Sequence, residues 1–242
     1  MNARQQLMEP GYVILYKAVP DEFTNNLRSV ARYDELSWSD GIWDGEAVDM
    51  QRTRAKLPDE LSRVLSTLFR CHYLIFSPQS TANEWSIVKT IAGAPNQSVR
   101  RDFPPPQAGT DAVDLAAIPA ELLVATQDDT VIHEFGWNRL VALRSNSDAI
   151  RLDKGDIIMF RGDFMHALAG FDINNICAHC YLDTLFYLEG SDRKLAPVID
   201  DMSAIDDLFC YIYNCHFVAS GTNSLRKHLN RFHNFFFARP RV

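Results

Sequence analysis

The stretch CYIYNCHFVASGTNSLRKHLNRFH, residues 210–233, constrains this chain more than any other. Four residues separate Cys210 from Cys215, twelve separate Cys215 from His228, and four separate His228 from His233. Two thiolates followed by two imidazoles at these intervals suit a tetrahedral Zn²⁺ site. A segment this short cannot bury enough apolar surface to fold alone. Metal binding supplies the missing free energy. The run NSLRKHLNRFH reads as a helix with His228 and His233 on one side. The end of the chain is thus expected to fold around a metal.

The remaining cysteines are Cys71, Cys177 and Cys180. An odd total of five, without a secretory signal, argues for thiols or metal ligands rather than a disulfide framework. No apolar run is long enough to cross a bilayer, and MNARQQLMEPGYVILYK lacks a signal-peptide core. The expectation is a soluble intracellular protein with no membrane partner. A net charge of −7 disfavours wrapping of nucleic acid by the whole surface, so any such contact must be local.

Upstream, Gly11–Val19 reads as a strand. PDEFTNNLRSVARY and LPDELSRVLSTLFRCHYLIF read as helices, each with acids in the first turn and an apolar stripe at helical spacing. From Glu84 the texture changes to short β-branched and aromatic runs: EWSIVKTIAG, ELLVATQ, TVIHEF, RLVALR, AIRL, DIIMFR and ICAHCYLDTLFYL. Turn signals such as QDDT, SNSD and DKGD separate several of them. The expected class is mainly β (α+β), a barrel or jelly roll with N-terminal supporting helices. The Pro-rich stretch DFPPPQAGTDAVDLAAIP interrupts it as a long loop. The expected boundaries are a β-barrel domain over 1–190, a polar linker over 191–207, the metal-binding module over 208–235, and a tail over 236–242.

The terminal module resembles the C₂H₂ zinc-finger family over about thirty residues, with Cys210, Cys215, His228 and His233 inside its C-x₂₋₄-C-x₁₂-H-x₃₋₅-H window. That resemblance implies a small ββα unit holding Zn²⁺. It puts the family's base-reading positions on Gly221, Ser224 and Lys227. Gly221 has no side chain to read with, and Ser224 is permissive. Ser224, Arg226, Lys227 and Arg231 are the candidate nucleic-acid-binding residues. A single module with this set implies low sequence specificity. It can equally bind protein or RNA, or cap the larger domain.

The larger domain carries NQSVRRDFPPP and KGDIIMFRGDFMHALAGFDINNICAHCYLD. Their order resembles the double-stranded β-helix of Fe(II)/2-oxoglutarate dioxygenases, over roughly residues 10–188. The resemblance maps the family's distal histidine onto His166 and the carboxylate of its first motif onto Asp102. The first histidine of that motif falls on Arg100, and the arginine that anchors 2-oxoglutarate falls near Cys177. Two of the four key positions depart from the pattern. A non-haem iron site needs imidazole and carboxylate donors on one face. A guanidinium is permanently charged and ligates no metal. At about 4 Å it repels a divalent ion by ~8 kcal/mol at an effective dielectric near 20. Residues two apart on a strand share a face. Arg100 and Asp102 are therefore expected to pair where the metal would sit, with Arg101 pointing away.

Cys177 and Cys180 stand three apart, so on a strand they face opposite sides, while Cys177, His179 and Tyr181 share one. Both cysteines read as buried small hydrophobes rather than zinc ligands. His72 and His133 read as lone strand histidines, and Lys89 as an alternative carboxylate anchor.

Three functions stay open. In the first, a degenerate, non-catalytic dioxygenase-like barrel carries a zinc finger that binds nucleic acid or protein, in the nucleus. Zn²⁺ is then the cofactor, and Fe²⁺ and 2-oxoglutarate are not expected. In the second, an active oxygenase keeps Asp102 and His166, adds a residue such as His179, and recruits substrate through the finger. In the third, the finger only packs on the barrel.

Overall fold

The computed structural model describes residues 7, 9–32, 36–43, 47–76, 80–103, 119–137, 141–144, 147–184, 194–195, 198–199, 210 and 215–233. Elements follow in chain order. The first half contains β1 (Tyr12–Leu15), α1 (Asp21–Arg32), β2 (Trp38–Trp43), β3 (Ala47–Lys56), α2 (Asp59–Phe76), β4 (Thr81–Ala82), β5 (Ser86–Thr90) and β6 (Arg100–Arg101). Then come β7 (Ala120–Ala125), β8 (Thr130–Glu134), β9 (Ala142–Leu143), β10 (Asp148–Leu152), β11 (Ile157–Arg161), β12 (His166–Leu168) and β13 (Asn175–Asp183). The last elements are β14 (Lys194–Leu195), β15 (Val198–Ile199) and α3 (Thr222–His233).

An eight-stranded sheet runs β1-β11-β7-β13-β5-β3-β2, with β4 added beside β13. A five-stranded sheet runs β10-β8-β12-β6-β14. Both are antiparallel, and a short parallel pair joins β15 to β9. Alternation along β7 shows how the layers are filled. Leu122 and Val124 pack outward with Leu27 of α1 and Leu65 and Phe69 of α2. Leu123 and Ala125 point inward with Ile132, Ile150 and Phe160. Strand β7 thus buries both faces, one under the helices and one inside the sandwich. This is the expected mainly β jelly roll with supporting helices.

Both helices follow their sequence signals. Asp21 and Glu22 open α1, and Asp59 and Glu60 open α2, where acids favour the positive helix end. Gly155 takes φ +87 in the turn before β11. Asp156 locks that turn by accepting from the backbone N of Lys17 (2.8 Å) and of Asp153 (2.9 Å).

Two expectations need correction. His72 lies on α2 rather than a strand. Its segment CHYLIF closes a helix begun 12 residues earlier by Asp59, and the running helical period outweighs the β-branched content. The stretch 191–207 is not wholly a linker. Lys194 and Leu195 pair with Arg101 and Arg100, and Val198 and Ile199 pair with Ala142 and Leu143. Free sheet edges recruited a polar segment that has little strand signature of its own. The Pro-rich stretch 104–118 and the tail 236–242 lie outside the described residues.

Candidate functional site

Strand β6 is two residues long, and its position decides the site. Arg100 stands directly across from His166 of β12. Asp102 follows immediately, with its side chain fully buried, and Arg100 Nε donates to Asp102 Oδ1 at 3.0 Å. Tyr181 of β13 donates its hydroxyl to Asp102 Oδ2 at 2.7 Å. The carboxylate mapped onto the metal position therefore already accepts from a guanidinium and a phenol. Arg101 points to the other side, where its Nη2 meets Met165 Sδ at 2.9 Å.

His166 is 1% exposed, against the ring of Phe160 at 4.7 Å between centroids. Its Nδ1 donates to Phe164 O at 3.2 Å. Burial pushes its pKa below the usual value, and nearby Glu121 opposes that shift. The ring is thus neutral, with Nε2 as an acceptor.

Glu121 was not singled out from sequence. It lies on β7 among apolar neighbours, 2% exposed, and meets His179 Nε2 through Oε1 at 2.5 Å. Burial, and then the Asp102 charge, raise its pKa to about 8. At neutral pH it holds its proton, so two carboxyl groups can adjoin without like-charge repulsion. Arg54 of β3 donates from Nη2 to His179 Nδ1 at 2.9 Å. That bond puts the single ring proton on Nε2, which donates to Glu121. The only signal in the sequence was an acid heading an otherwise apolar strand, AELLVA.

Donor atoms of Asp102, Glu121 and His166 all lie within 4.8 Å of one another. Glu121 is thus a third candidate donor beside Asp102 and His166, while His179 is engaged by Glu121 through Nε2 and by Arg54 through Nδ1. Cys177 and Cys180 face opposite sides, Cys177 among the inner residues and Cys180 among the outer ones. Burial pushes the Cys177 thiol up to about 12, so it is neutral. Lys89 does not anchor a ligand in the barrel. It faces outward, with its ammonium 5.6 Å from the Trp38 ring centroid, because its neighbour Val88 takes the inward position. His133 is half-buried on β8.

The space left inside the barrel is small. A cavity of about 20 Å³ lies among Arg52, Arg100, Glu121, His166, Cys177 and His179. That is room for about one water. A molecule of the size of 2-oxoglutarate exceeds this cavity, and Asp102 is already paired with Arg100.

The second cluster does fit a metal. Donor atoms of Cys210, Cys215, His228 and His233 lie within 4.8 Å of one another. Cys215 Sγ is 3.2 Å from His228 Nε2, and His228 Nε2 is 3.2 Å from His233 Nε2. Neighbouring donors around tetrahedral Zn²⁺ stand roughly 3.3–3.8 Å apart, given its bond lengths. Cys210 N donates to Phe217 O at 2.8 Å, and the Phe217 ring stacks on His228 at 3.9 Å. Leu225 and Leu229 are fully buried with Cys210 and Ala219. Val141 and Leu143 belong to the same cluster, so the module packs on the barrel beside β9. On α3, Arg226, Lys227 and Arg231 are exposed and Ser224 is half-buried. Phe232 beside them is 64% exposed.

No helix among the described residues is long and apolar enough to cross a membrane.

No family model and no curated protein matches this chain. Solved structures do. HygX from Streptomyces hygroscopicus, with nickel and 2-oxoglutarate bound, gives a TM-score of 0.57 at 12% identity, covering 90% of this chain and 98% of its own. The non-heme alpha ketoglutarate dependent carbocyclase SnoK, from nogalamycin biosynthesis, gives 0.55 at 13% identity, covering 83% and 88%. A prolyl hydroxylase from Trichoplax adhaerens gives 0.56 at 10% identity, covering 74% and 86%. These neighbours are Fe(II)/2-oxoglutarate-type oxygenases, and the shared feature is the double-stranded β-helix fold. At 12% identity the likeness to HygX shows the fold alone.

Proposed function

We propose that this chain is a double-stranded β-helix whose catalytic centre has been replaced by protein charge pairs, and that it works by binding. One observation carries the reading: the 3.0 Å bond from Arg100 to Asp102, in register with His166. The guanidinium occupies the ligand position and holds the carboxylate that a metal would need. The barrel then acts as an acidic platform. The Cys₂His₂ module, holding Zn²⁺, supplies a local basic contact through Arg226, Lys227 and Arg231, with exposed Phe232 beside them. Its partner is nucleic acid or protein, and a nuclear location follows from the nucleic-acid reading alone.

A second reading has its own support. Asp102, Glu121 and His166 place three donors within 4.8 Å of one another, and the fold neighbours are oxygenases. In that reading the barrel binds a divalent metal through two carboxylates and one imidazole and oxidises a substrate recruited by the module.

Metal analysis of the purified full chain separates the two. The first predicts about one zinc per chain, no iron, and no succinate release from 2-oxoglutarate. Stoichiometric iron lost on Glu121→Gln, or succinate release, establishes the second. Gel-shift titration over several salt concentrations tests the contact. Three phosphate contacts give a log–log slope of about −2 to −3, and a flat response removes nucleic acid as the partner.

A further inference from the structure

Beside β3, β5 and β13 lies a pocket of about 310 Å³, far larger than the cavity next to His166. That volume is at the lower end of small-molecule sites. Its walls include Arg54 and Lys56 of β3, Ser86 of β5, Tyr181 of β13, and Asn83 and Glu84 between β4 and β5. Arg54 and Lys56 alternate with Ala55, so both cations lie on the same face of their strand.

Arg54 is the centre of this pocket. Its Nε donates to Ser86 Oγ at 2.7 Å and its Nη2 to His179 Nδ1 at 2.9 Å. These bonds hold one edge of the guanidinium against neutral groups. The Nη1 end and the outer hydrogen of Nη2 remain, and together they form a two-pronged donor edge. Among the described residues, no carboxylate forms an ion pair with Arg54. Deeper in, Asp102 is already paired with Arg100. A second unanswered donor lies in the same wall: Asn83 Nδ2 is buried without a hydrogen-bond partner. Lys56 adds positive charge at the rim, partly answered by Glu84 at 2.6 Å.

We propose that this pocket binds one small molecule carrying an oxyanion group, carboxylate or phosphate, which docks on the free edge of Arg54 and accepts from Asn83 Nδ2. A planar fork of donors matches either group bidentately. The site is separate from the metal position: its ligand needs no iron, and none of Asp102, Glu121 and His166 lines the pocket.

Calorimetric titration of the zinc-loaded full chain, at low salt, with succinate, glycerol 3-phosphate and 2-oxoglutarate as separate probes, tests this. At least one probe should bind at one per chain, and which one does so identifies the group. Arg54→Gln should weaken it about tenfold or more, since it removes charge-assisted bonds. Lys56→Gln should weaken it two- to threefold on the order of a screened rim charge. Arg54 also supports His179; where Arg54→Gln fails to fold, Asn83→Leu serves in its place, because it deletes a donor with no internal partner, and it should weaken binding as well. No binding of any probe at about 10 mM overturns the proposal. Binding unchanged by Asn83→Leu and Lys56→Gln does the same. Binding of 2-oxoglutarate only when Fe(II) is added also overturns it, and that result alone bears on the non-catalytic reading of the barrel centre.

Discussion

Replacing Arg100 by methionine should strand a buried charge. The Arg100 side chain is 6% exposed and that of Asp102 is 0% exposed, with 3.0 Å between Nε and Oδ1. At an effective dielectric near 20, unit charges at that distance attract by about 5–6 kcal/mol. The cost of removing both ions from water offsets much of this in the wild type, so the intact pair contributes little net stability. Arg100→Met removes the attraction and leaves the desolvation of Asp102 in place. Tyr181 remains as a donor to Asp102. Methionine is close to arginine in length, so the cavity left behind is small. The expected loss is about 3–5 kcal/mol, typical of a buried pair broken on one side. For a chain of this size that is roughly 10 °C in Tm. Urea unfolding at pH 7 measures it. Arg100→Met with Asp102→Leu should be more stable than Arg100→Met alone, because no charge is then left unpaired. A single-variant loss below about 1 kcal/mol, or a double variant less stable than the single, would refute the buried-pair account.

Three further outcomes follow from the same geometry. Glu121 has a folded pKa near 8 against an ordinary 4.5, so the native state holds a proton that the unfolded state has released. Its contribution is therefore fully present below about pH 4.5 and is lost as pH rises through about 8. Urea midpoints across pH 5–9 should fall with pH in the wild type and flatten in Glu121→Gln. Alkylation followed by mass spectrometry should label exposed Cys71 in the native, zinc-loaded chain while sparing buried Cys177 and Cys180. Adding a strong chelator should then open Cys210 and Cys215. Because Val141 and Leu143 share the cluster of Leu225 and Leu229, the same chelator should raise hydrogen exchange in Ala142–Leu143 together with Thr222–His233. Leu225→Ala should cost that unit about 2–5 kcal/mol and mimic the chelator in the same measurement.

Much of the site was legible wherever the chemistry is local. The Cys₂His₂ quartet sits in 24 residues, and one helix carries both histidines. Arg100 and Asp102 are two apart, so their pairing needs only a short extended backbone, and the 3.0 Å bond follows. The opposite facing of Cys177 and Cys180 is the same period-two rule. Failures came where a neighbouring element overrode local character. Lys194–Leu195 and Val198–Ile199 became strands because edges of β6 and β9 were open to them. Lys89 left the interior because Val88 fills the inward position.

Order along the chain therefore determined the Cys₂His₂ cluster, the β-sandwich class and the pairing of Arg100 with Asp102. Spacing within a helix or a strand fixes which side chains lie together, and no distant partner is required. Only the folded sheets decided that Glu121, His179 and Arg54 form one chain of contacts, that Tyr181 reaches Asp102, and that a pocket opens beside them. Those residues are 58 to 125 positions apart in the contacts Glu121–His179, Tyr181–Asp102 and Arg54–His179. Periodicity tells which face of a strand a residue takes. Which strand lies alongside is set by the packing of the whole sandwich.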